Sequence, residues 1–536
     1  MTSTTERIDS IEQQLRDERV THEAAISDLA AAAQARGGRS GRRVDGAYFT
    51  DADVAAHLAR RAIGAVLLEA CGVAPRTVDE VLARGGDLAS LVLEAAAHHA
   101  SAHVDVVDRL AGLVVFDPTC GAGSFLHAAW AVLVDYDAAL GAGVVSPTQL
   151  RGVDCDADAV RACQLSLRLA TRGHDGEPSI VVGDAEAAGV AEAADVVLGN
   201  PPFVRASAQQ RHADLSTRTV PNRSAWIVER AVEAARPGAR IAFVLPISTA
   251  CTDAFAPARA AWDVACDTVL TSHFDTIPSS LFERVVQRLS IFEGRRRTSR
   301  WDSCNWYTTR YHRWQRPERA GLLERVRHVP LPPHSVGGSI AKVGEPVEAG
   351  LLARLFSHAP AARLIVPEAT APARIRYKRR WSYFLLFTDF VPRMWDADGA
   401  EREPSELKAL GVVSELDARV LLSVYSSTLF WWYFSVYTDN RNVNRRDLAA
   451  FPVPDFDHAT RMRLAELSVE LMAALHACAE VRECTYASIG TIRNTYFRQG
   501  ATRAVLDRID EALAPAYGMS ADELEFVLGF ERRFRS

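Results

Sequence analysis

The chain has 536 residues, of which 48% are hydrophobic and 24% charged, and its formal net charge is −6. This length exceeds what one hydrophobic core usually serves, so two or three domains are expected. The charge excludes a uniformly basic nucleic-acid coat, and the composition is that of a globular protein without a bilayer-spanning run or signal-peptide pattern, which predicts cytoplasmic residence. The nine cysteines are scattered, so neither a disulfide framework nor a metal site is expected.

The first 44 residues predict an N-terminal helix followed by a basic linker. Apolar residues such as Ile8, Ile11 and Leu15 keep a loose helical spacing to about residue 35. Glycines and arginines between 37 and 43 then interrupt this spacing. Two interpretations of that segment stay open, a solvated linker and a contact to a phosphate backbone.

Four short apolar runs, each followed by a polar residue, predict parallel strands that end at one edge of a sheet. The polar residues are Asp117, Asp154, Asp184 and Asn200. Ligands of open α/β sheets bind outside the carboxyl ends of the strands, so these side chains predict one continuous crevice. A single acid at a strand end is often only a turn residue. The repetition is what favours a ligand site.

The turn after Asp117 contains Gly121 and Gly123, which allow backbone amides to approach a ligand closely. The third glycine of the dinucleotide-binding fingerprint is missing, and a strand-end carboxylate suits an ammonium group better than a pyrophosphate. Both features disfavour NAD. Asp154 stands at the end of the next strand, where a ribose diol needs an acceptor, and Asp156 is the alternative.

The segment Asn200-Pro-Pro-Phe203 predicts a rigid tip that holds a flat ring bearing an amino group. The two prolines fix φ and remove two N–H donors. The side-chain oxygen of Asn200 and the carbonyl of Pro201 are two acceptors for the hydrogens of an exocyclic amine, and Phe203 offers a stacking face. Two such acceptors would pull the amine nitrogen toward tetrahedral geometry and localise its lone pair.

Three motifs occur in the order Gly46-Ala-Tyr-Phe-Thr50, Asp117-Pro-Thr-Cys-Gly-Ala-Gly-Ser-Phe125 and Asn200-Pro-Pro-Phe203. In that order they resemble motifs X, I and IV of S-adenosylmethionine-dependent N6-adenine DNA methyltransferases of the gamma arrangement, as found in type II and type IIG restriction-modification systems. The resemblance implies a site-specific enzyme that methylates N6 of an adenine flipped out of duplex DNA. One departure is Asp51, which replaces the proline usual after the threonine.

The resemblance also assigns residues to the cofactor and to the target base. The implied cofactor-binding residues are Tyr48, Thr50, Asp117, Cys120, Gly121, Gly123, Asp154, Asp184 and Ala185. Among them, Asp154 is the implied ribose ligand and Asp184 the implied adenine ligand. The implied catalytic residues are Asn200, Pro201, Pro202 and Phe203. Phe203 and Phe282 are the implied stacking partners of the target base, and core packing is the alternative role of Phe282.

From residue 295 onward, several stretches interleave arginine with aromatic residues, a pattern that suits phosphate contact and stacking. The stretch at 374–381 is one of them. The run at 423–454, in which an Asn/Arg loop follows aromatic residues, is similar to the target-recognition region of restriction-modification methylases. The DNA-binding residues expected there are Arg374, Arg376, Lys378, Arg379, Arg441, Asn442 and Asn444. A solvated charged face and loop-structuring hydrogen bonds are the alternatives.

The expected fold is α/β, with a Rossmann-like class I methyltransferase sheet, a separate α+β target-recognition domain and a helical C-terminal tail. The expected domains are 1–44, the helix and linker; 45–294, the methyltransferase; 295–456, target recognition; and 457–536, the helical region. The expected partners are double-stranded DNA and subunits of a restriction or phage-defence system, without a metal. Alternative functions are methylation of cytosine N4, of RNA or of a protein glutamine amide, and a DNA-binding defence sensor with little methyl transfer.

Overall fold

The structure is a computed structural model that describes residues 3–17, 20–34, 50–187, 193–206, 214–282, 285, 287–299, 303–380, 385–486 and 490–534. The chain divides into two compact units, Met1–Leu331 and Pro332–Ser536. None of the described helices is long and apolar enough to cross a membrane.

The N-terminal unit begins with two helices, α1 (Thr4–Arg16) and α2 (His22–Gln34), where the sequence predicts one. A capping box starts α1, because Ser3 Oγ accepts from the N–H of Glu6 while the Glu6 carboxylate accepts from the N–H of Ser3. The apolar spacing in the sequence stays nearly helical from α1 to α2, so the interruption leaves little trace in the pattern.

Within the described part of the chain, four more helices lie between α2 and the first strand of the central sheet. They are α3 (Ala52–Ala70), α4 (Pro75–Ala83), α5 (Leu88–His98) and α6 (Ala100–Ala111). Most of the side chains of α3 are buried, because α3 packs against four of the neighbouring helices and against two strands of the sheet. The helices after the first strand are α7 (Ser124–Leu140), α8 (Ala157–Ala170), α9 (Arg223–Ala234), α10 (Ser248–Cys251) and α11 (Ala256–Ala265).

A nine-stranded sheet with the order β3-β2-β1-β4-β5-β7-β6-β8-β9 forms the core of this unit. Its strands are β1 (Val115–Asp117), β2 (Leu150–Asp154), β3 (Ser179–Val182), β4 (Val196–Gly199), β5 (Arg240–Pro246), β6 (Cys266–Phe274), β7 (Leu289–Arg296), β8 (Asn305–His312) and β9 (Val329–Pro330). The five neighbouring strands β3, β2, β1, β4 and β5 are parallel to one another. β7 is antiparallel to both of its neighbours, β5 and β6. The predicted Rossmann-like α/β sheet is confirmed.

The sheet continues beyond residue 294, where the sequence analysis ends the methyltransferase domain. That position lies inside β7, and β8 pairs parallel with β6. Tyr311 of β8 is buried, so part of an arginine–aromatic stretch assigned to DNA contact is a strand of the sheet. A strand with arginines in it or beside it can have the same composition as an exposed charged surface. Only the pairing of the strand with its neighbours shows which of the two it is.

The C-terminal unit contains two four-stranded sheets, with the orders β10-β15-β11-β12 and β14-β13-β17-β16. Their strands are β10 (Ile365–Val366), β11 (Ala373–Lys378), β12 (Phe387–Thr388), β13 (Met394–Trp395), β14 (Glu401–Arg402), β15 (Leu407–Val412), β16 (Ala479–Tyr486) and β17 (Gly490–Phe497). The helices are α12 (Pro346–Leu355), α13 (Glu415–Ser426), α14 (Thr428–Tyr437), α15 (Arg445–Ala450), α16 (His458–Ala477), α17 (Arg503–Tyr517) and α18 (Ala521–Gly529). The aromatic helix α14 is buried along its whole length.

The region 457–536 is not helical throughout, in contrast to the expectation. The hairpin of β16 and β17 is inserted between α16 and α17, with Ala479 opposite Phe497 and Tyr486 opposite Gly490. Most of its side chains are exposed, so the hairpin lacks the apolar alternation by which a half-buried strand is recognised in a sequence. The boundary expected at 456 also lies inside the C-terminal unit.

Candidate active site

The sheet order places the ends of the four predicted strands side by side. β1 ends at Asp117, β2 ends at Asp154, and β4 ends one residue before Asn200. Asp184 follows β3 after one intervening glycine. Because β3, β2, β1 and β4 are consecutive neighbours in the sheet, the four polar residues stand along one edge.

Asp117 is buried at the centre of this edge, with 1% of its surface exposed. Its Oδ1 accepts a hydrogen bond of 2.9 Å from the main-chain N–H of Thr119. Burial raises the pKa of Asp117 to about 8, and the negative charge of Asp154 adds to the increase. The carboxyl group is therefore largely protonated at neutral pH in the free protein, and a cationic ligand would favour its ionised form.

Asp154 organises the turn that follows Asp117. Its Oδ2 accepts from the N–H of Gly121, and its Oδ1 accepts from the N–H of Asp156, both at 2.9 Å. Burial raises the pKa of Asp154. Asp156, the alternative ribose ligand, caps α8 by accepting from the N–H groups of Asp158 and Ala159. Its helix-capping role favours Asp154 as the ligand.

The conformation of the loop from Cys120 to Gly123 allows a ligand to approach its backbone closely. Gly121 has a φ of +50°, and a Cβ built on it would meet no atom within 4 Å, so open space adjoins its backbone. Gly123, with a φ of +93°, directly precedes α7. Cys120 is buried, and its N–H donates to the carbonyl of Val153 at 2.9 Å. Cys120 therefore attaches the loop to β2.

The tip that follows β4, which begins at Asn200, lies close to Asp117. A Cβ on Gly199 would lie 2.9 Å from the ring of Phe243 and 3.4 Å from Oδ1 of Asp117, so no larger residue fits there without a shift. The amide of Asn200 follows directly, and its Oδ1 is buried. Gly199 is not among the predicted site residues, although a glycine between an apolar run and Asn-Pro-Pro is a visible signal in the sequence.

The remaining residues of the tip lie at the boundary of the core. Pro201 is buried, whereas Pro202 and Phe203 are half-buried, and residues 201–206 adopt neither helix nor strand. The ring of Phe203 packs against the main apolar cluster of the unit. Phe282 is buried inside the same cluster with 1% exposure. Its ring offers no accessible face to a base, which supports the alternative of core packing.

The other predicted cofactor residues are less enclosed. Tyr48 lies outside the described residues, and Thr50 is half-buried immediately before Asp51, the N-cap of α3. Asp184 is exposed and its Oδ1 accepts from the N–H of Glu186 at 3.0 Å, while Ala185 is half-buried.

Asp51, the residue that departs from the motif, has a structural role. Its carboxylate lies 3.7 Å from the guanidinium of Arg319, which also binds Asp53 at 2.9 Å. The substitution of proline by Asp51 therefore places an acid near a cation that holds the start of α3.

The predicted DNA-binding residues of β11 alternate along the strand. Arg374 and Lys378 are exposed, and Arg376 is half-buried beside Glu403 at 3.2 Å. Arg374 donates to the carbonyl of Glu368 at 2.9 Å. The side chains of this strand thus form an accessible basic row on the C-terminal unit.

The Asn/Arg loop lies beside the end of that strand. The N–H of Val443 donates to the carbonyl of Arg379 at 2.8 Å, and Asn442 forms a β-bridge with Arg380. Arg379 and Arg441 are exposed. The structure therefore brings together two segments that the sequence analysis singled out separately.

Both asparagines of the loop make local hydrogen bonds. The side-chain amide of Asn442 donates to Asp439 at 3.3 Å. Asn444 forms a capping box with Asp447 at the start of α15. These contacts support the alternative in which the asparagines set the conformation of the loop.

Residues 99–251 match the family model described as N-6 DNA Methylase. This part of the chain is similar to N-6 DNA methylases. The resemblance inferred from the motifs is thereby confirmed, and S-adenosylmethionine is the cofactor of the domain. The methylase match covers motifs I and IV with Asp117, Asp154 and Asn200.

The methylase domain offers S-adenosylmethionine suitable chemistry. Open space adjoins Gly121, and each carboxylate oxygen of Asp154 accepts from one backbone N–H, which leaves acceptor capacity for ribose hydroxyl groups. Asp117 supplies a carboxyl group that can ionise beside a cation. The residues therefore fit the cofactor.

Three solved structures are among those to which the chain is similar, and the first of them supports the fold. The type IIL restriction-modification enzyme MmeI, solved in complex with DNA, has a TM-score of 0.54 at 11% identity over 95% of this chain and 81% of that chain. The DrdV–DNA complex has 0.42 at 13% over 61% and 34%. The type I restriction-modification methyltransferase subunit from Streptococcus thermophilus has 0.28 at 16% over 42% and 50%. No curated protein matches the chain in sequence.

Proposed function

We propose that this chain is a site-specific adenine DNA methyltransferase of a restriction-modification or phage-defence system. It transfers the methyl group of S-adenosylmethionine to N6 of an adenine flipped out of duplex DNA. The observation that carries the proposal is the order of strand ends along the sheet, where Asp184, Asp154, Asp117 and Asn200 stand at or just after the ends of β3, β2, β1 and β4 in turn. Adenine, ribose, methionine and target amine would follow one another in that order.

On the cofactor side of the crevice, each strand end contacts a different part of S-adenosylmethionine. Asp154 accepts from the ribose hydroxyl groups, and Asp184 with Ala185 borders the adenine. Asp117 and the backbone of Gly121 border the methionine end, where ionised Asp117 complements the ammonium group. Cys120 and Gly123 set the backbone path of the loop, and Tyr48 and Thr50 complete the site from the preceding motif.

The target side is the tip from Asn200 to Phe203. S-adenosylmethionine supplies a methyl group that is already activated on a sulfonium. Asn200 Oδ1 and the Pro201 carbonyl accept the two hydrogens of the adenine amine, so the nitrogen becomes more tetrahedral and its lone pair points toward the methyl group. Pro202 keeps the tip extended, and stacking on Phe203 offsets part of the cost of unstacking the base, by about 1–3 kcal/mol.

DNA recognition is proposed for the basic surface of the C-terminal unit. Arg374, Arg376 and Lys378 line β11, and Arg379 adjoins the loop that carries Arg441. Exposed arginines at such a place contact phosphates or guanine edges. Asn442 and Asn444 contribute by holding the loop, with base contact as a further use of their free acceptor capacity.

A labelled-methyl assay tests the proposal. Purified protein, radiolabelled S-adenosylmethionine and duplex DNA are incubated, and the digested nucleosides are separated by mass spectrometry. We expect N6-methyladenine, with a loss of at least about 100-fold for Asn200→Ala. Asn305→Ala, at an exposed strand start, is the matched control and keeps full activity.

Each competing function has its own outcome in this assay. N4-methylcytosine as the product would assign cytosine, and labelled RNA or protein would assign those substrates. DNA binding without methyl transfer would favour the defence sensor. Methylation that persists in Asn200→Ala would overturn the catalytic role of the tip. Modification-aware sequencing of DNA from cells that express the protein alone then identifies the recognised site.

A further inference from the structure

The N-terminal helical hairpin, defined here as residues 3–17 and 20–34, packs onto the methylase domain beside its cofactor loop. α2 lies along α8, and α1 contacts the same helix. One apolar cluster joins Ile8 and Leu29 of the hairpin to Ala162 of α8 and to Ala122. Ala122 is the middle residue of the loop between Gly121 and Gly123, so the hairpin supports this loop from behind.

Polar contacts attach the hairpin at both ends of α8. At the start of α8, Thr5 donates to Asp158 at 3.1 Å. One turn later, Arg161 binds Asp9 at 2.7 Å and Glu12 at 2.5 Å.

Just beyond the other end of α8, the guanidinium of Arg172 lies 3.0 Å from the ring of His22. The hairpin thus covers the full length of the helix. A segment attached along the whole of α8 fixes the position of that helix against the sheet.

The two structures covered by the hairpin are the two that hold Asp154. The loop supplies the N–H of Gly121 to Oδ2, and the residue that caps α8, Asp156, supplies its N–H to Oδ1. We infer that the docked hairpin is a positioning element of the cofactor site, which keeps the loop and Asp154 in the geometry that binds S-adenosylmethionine. The inference rests on the proposed role of Asp154 and Gly121 in cofactor binding.

The expected consequence is a change of affinity for the cofactor alone. When the hairpin is undocked, the loop spends only part of its time in the binding geometry, and the apparent Kd rises in inverse proportion to that fraction. A loop that is competent one-tenth of the time binds about tenfold more weakly. The KM for S-adenosylmethionine rises accordingly, whereas the KM for DNA stays unchanged.

Calorimetric titration of S-adenosylmethionine into the full chain tests this inference. The variant Ile8→Ala/Leu29→Ala removes two buried side chains of the hairpin, and we expect its Kd to rise about tenfold. Gln14→Ala/Ser27→Ala, with one exposed substitution on each helix, is the matched control and keeps its Kd within about twofold. Hydrogen exchange of the free protein, faster at 118–124 only in the core variant, reports the loop directly.

A second pair of variants leaves the apolar cluster intact, in case the first does not fold. Arg161→Glu places a third carboxylate against Asp9 and Glu12, whereas Arg161→Lys keeps the positive charge. We expect a Kd about threefold or more higher for the first and nearly unchanged for the second. Equal Kd values for wild type, Arg161→Glu and Arg161→Lys would overturn the inference.

The outcomes separate this inference from the proposed function. Wild-type protein that binds no S-adenosylmethionine contradicts the proposed cofactor site and the inference together. Wild-type binding with unchanged affinity in folded variants whose hairpin exchanges rapidly contradicts the inference alone. A parallel rise in the KM for DNA would show a general loss of structure and would also contradict a role confined to the cofactor site.

Discussion

The main-chain N–H of Gly121 donates a hydrogen bond to Oδ2 of Asp154 across 2.9 Å, and this bond joins the first loop of the methylase domain to the end of the neighbouring strand. Asp154 therefore has two roles in the proposed mechanism. Its carboxylate holds the loop, and its remaining lone pairs are available to a ribose. Disruption of this single side chain affects both the shape and the chemistry of the crevice.

Asp154→Asn should weaken S-adenosylmethionine binding by about tenfold to 100-fold, since hydrogen bonds to charged groups contribute about 1.5–3 kcal/mol. The amide replaces one acceptor oxygen with a donor that faces an N–H group. Calorimetric titration measures the change. Asp175→Asn, at an exposed position, is the control and should bind as the wild type does. An unchanged affinity in Asp154→Asn would remove Asp154 from the cofactor site.

Cofactor affinity should depend on pH through Asp117. Burial raises the pKa of this carboxyl group to about 8, and a bound cation favours its ionised form, so binding below that pH must release a proton. The affinity for S-adenosylmethionine should therefore increase as pH rises toward about 8, by at most about tenfold per unit. Asp117→Asn should bind weakly and should lose this dependence. Identical pH profiles in the two proteins would refute the assignment.

Gly199→Ala should disturb the tip because the added Cβ meets the ring of Phe243 at 2.9 Å. We expect a loss of about 1–3 kcal/mol in the free energy of unfolding and a fall in methyl transfer. Phe243→Leu in the same chain should recover part of the stability by opening space. Gly112→Ala, whose Cβ meets only a carbonyl at 3.6 Å, is the matched control. Urea unfolding and the labelled-methyl assay report the two effects.

Replacement of Arg441 by alanine should affect DNA binding, whereas replacement of Asn444 by alanine should affect stability. Arg441→Ala should lower DNA affinity and reduce the slope of log K against log salt by about 1, since one phosphate contact is lost. Asn444→Ala removes a helix cap and should cost about 1 kcal/mol of stability. Fluorescence anisotropy at several salt concentrations and thermal unfolding distinguish them. A salt slope unchanged in Arg441→Ala would argue against a phosphate contact.

The stability of the N-terminal unit should decrease in mild acid. Burial lowers the pKa of His127 to about 4, and burial together with the charge of Arg310 lowers that of His312 to about 4. The unfolded chain binds these protons near pH 6.5, so stability is lost as pH falls from about 6.5 to about 4. His312→Gln should flatten part of this dependence. Urea unfolding at pH 7 and pH 5 measures it, and equal pH dependence in both proteins would contradict the assignment.

Local patterns in the sequence identified much of the methylase domain. An apolar run that ends in Asp117 or Asp154 predicts a buried parallel strand with a polar end. A few consecutive residues are enough for this prediction. Sheet pairing then confirmed that these ends are neighbours. The aromatic run that precedes the Asn/Arg loop is also visible in the sequence, and the structure shows that it forms α14, whose ten residues are all buried.

Other features depended on residues far apart in the chain. The burial of Phe282, the local bonding of Asn444 and the pairing of β8 with β6 follow from contacts that no periodicity reports. In each case the residue type suited two environments, such as an aromatic ring in a core or against a base. Packing decides between them.

The sequence by itself determined the chemistry along the sheet edge, because each strand and its polar end are encoded within a few residues. Only the tertiary structure decided that the hairpin of α1 and α2 supports that edge through Ala122 and Arg161. The apolar residues of the hairpin indicate that it must pack against another part of the protein. The apolar face of a helix does not by itself specify which surface it packs against. The site of docking follows from complementary shape and charge between segments more than a hundred residues apart.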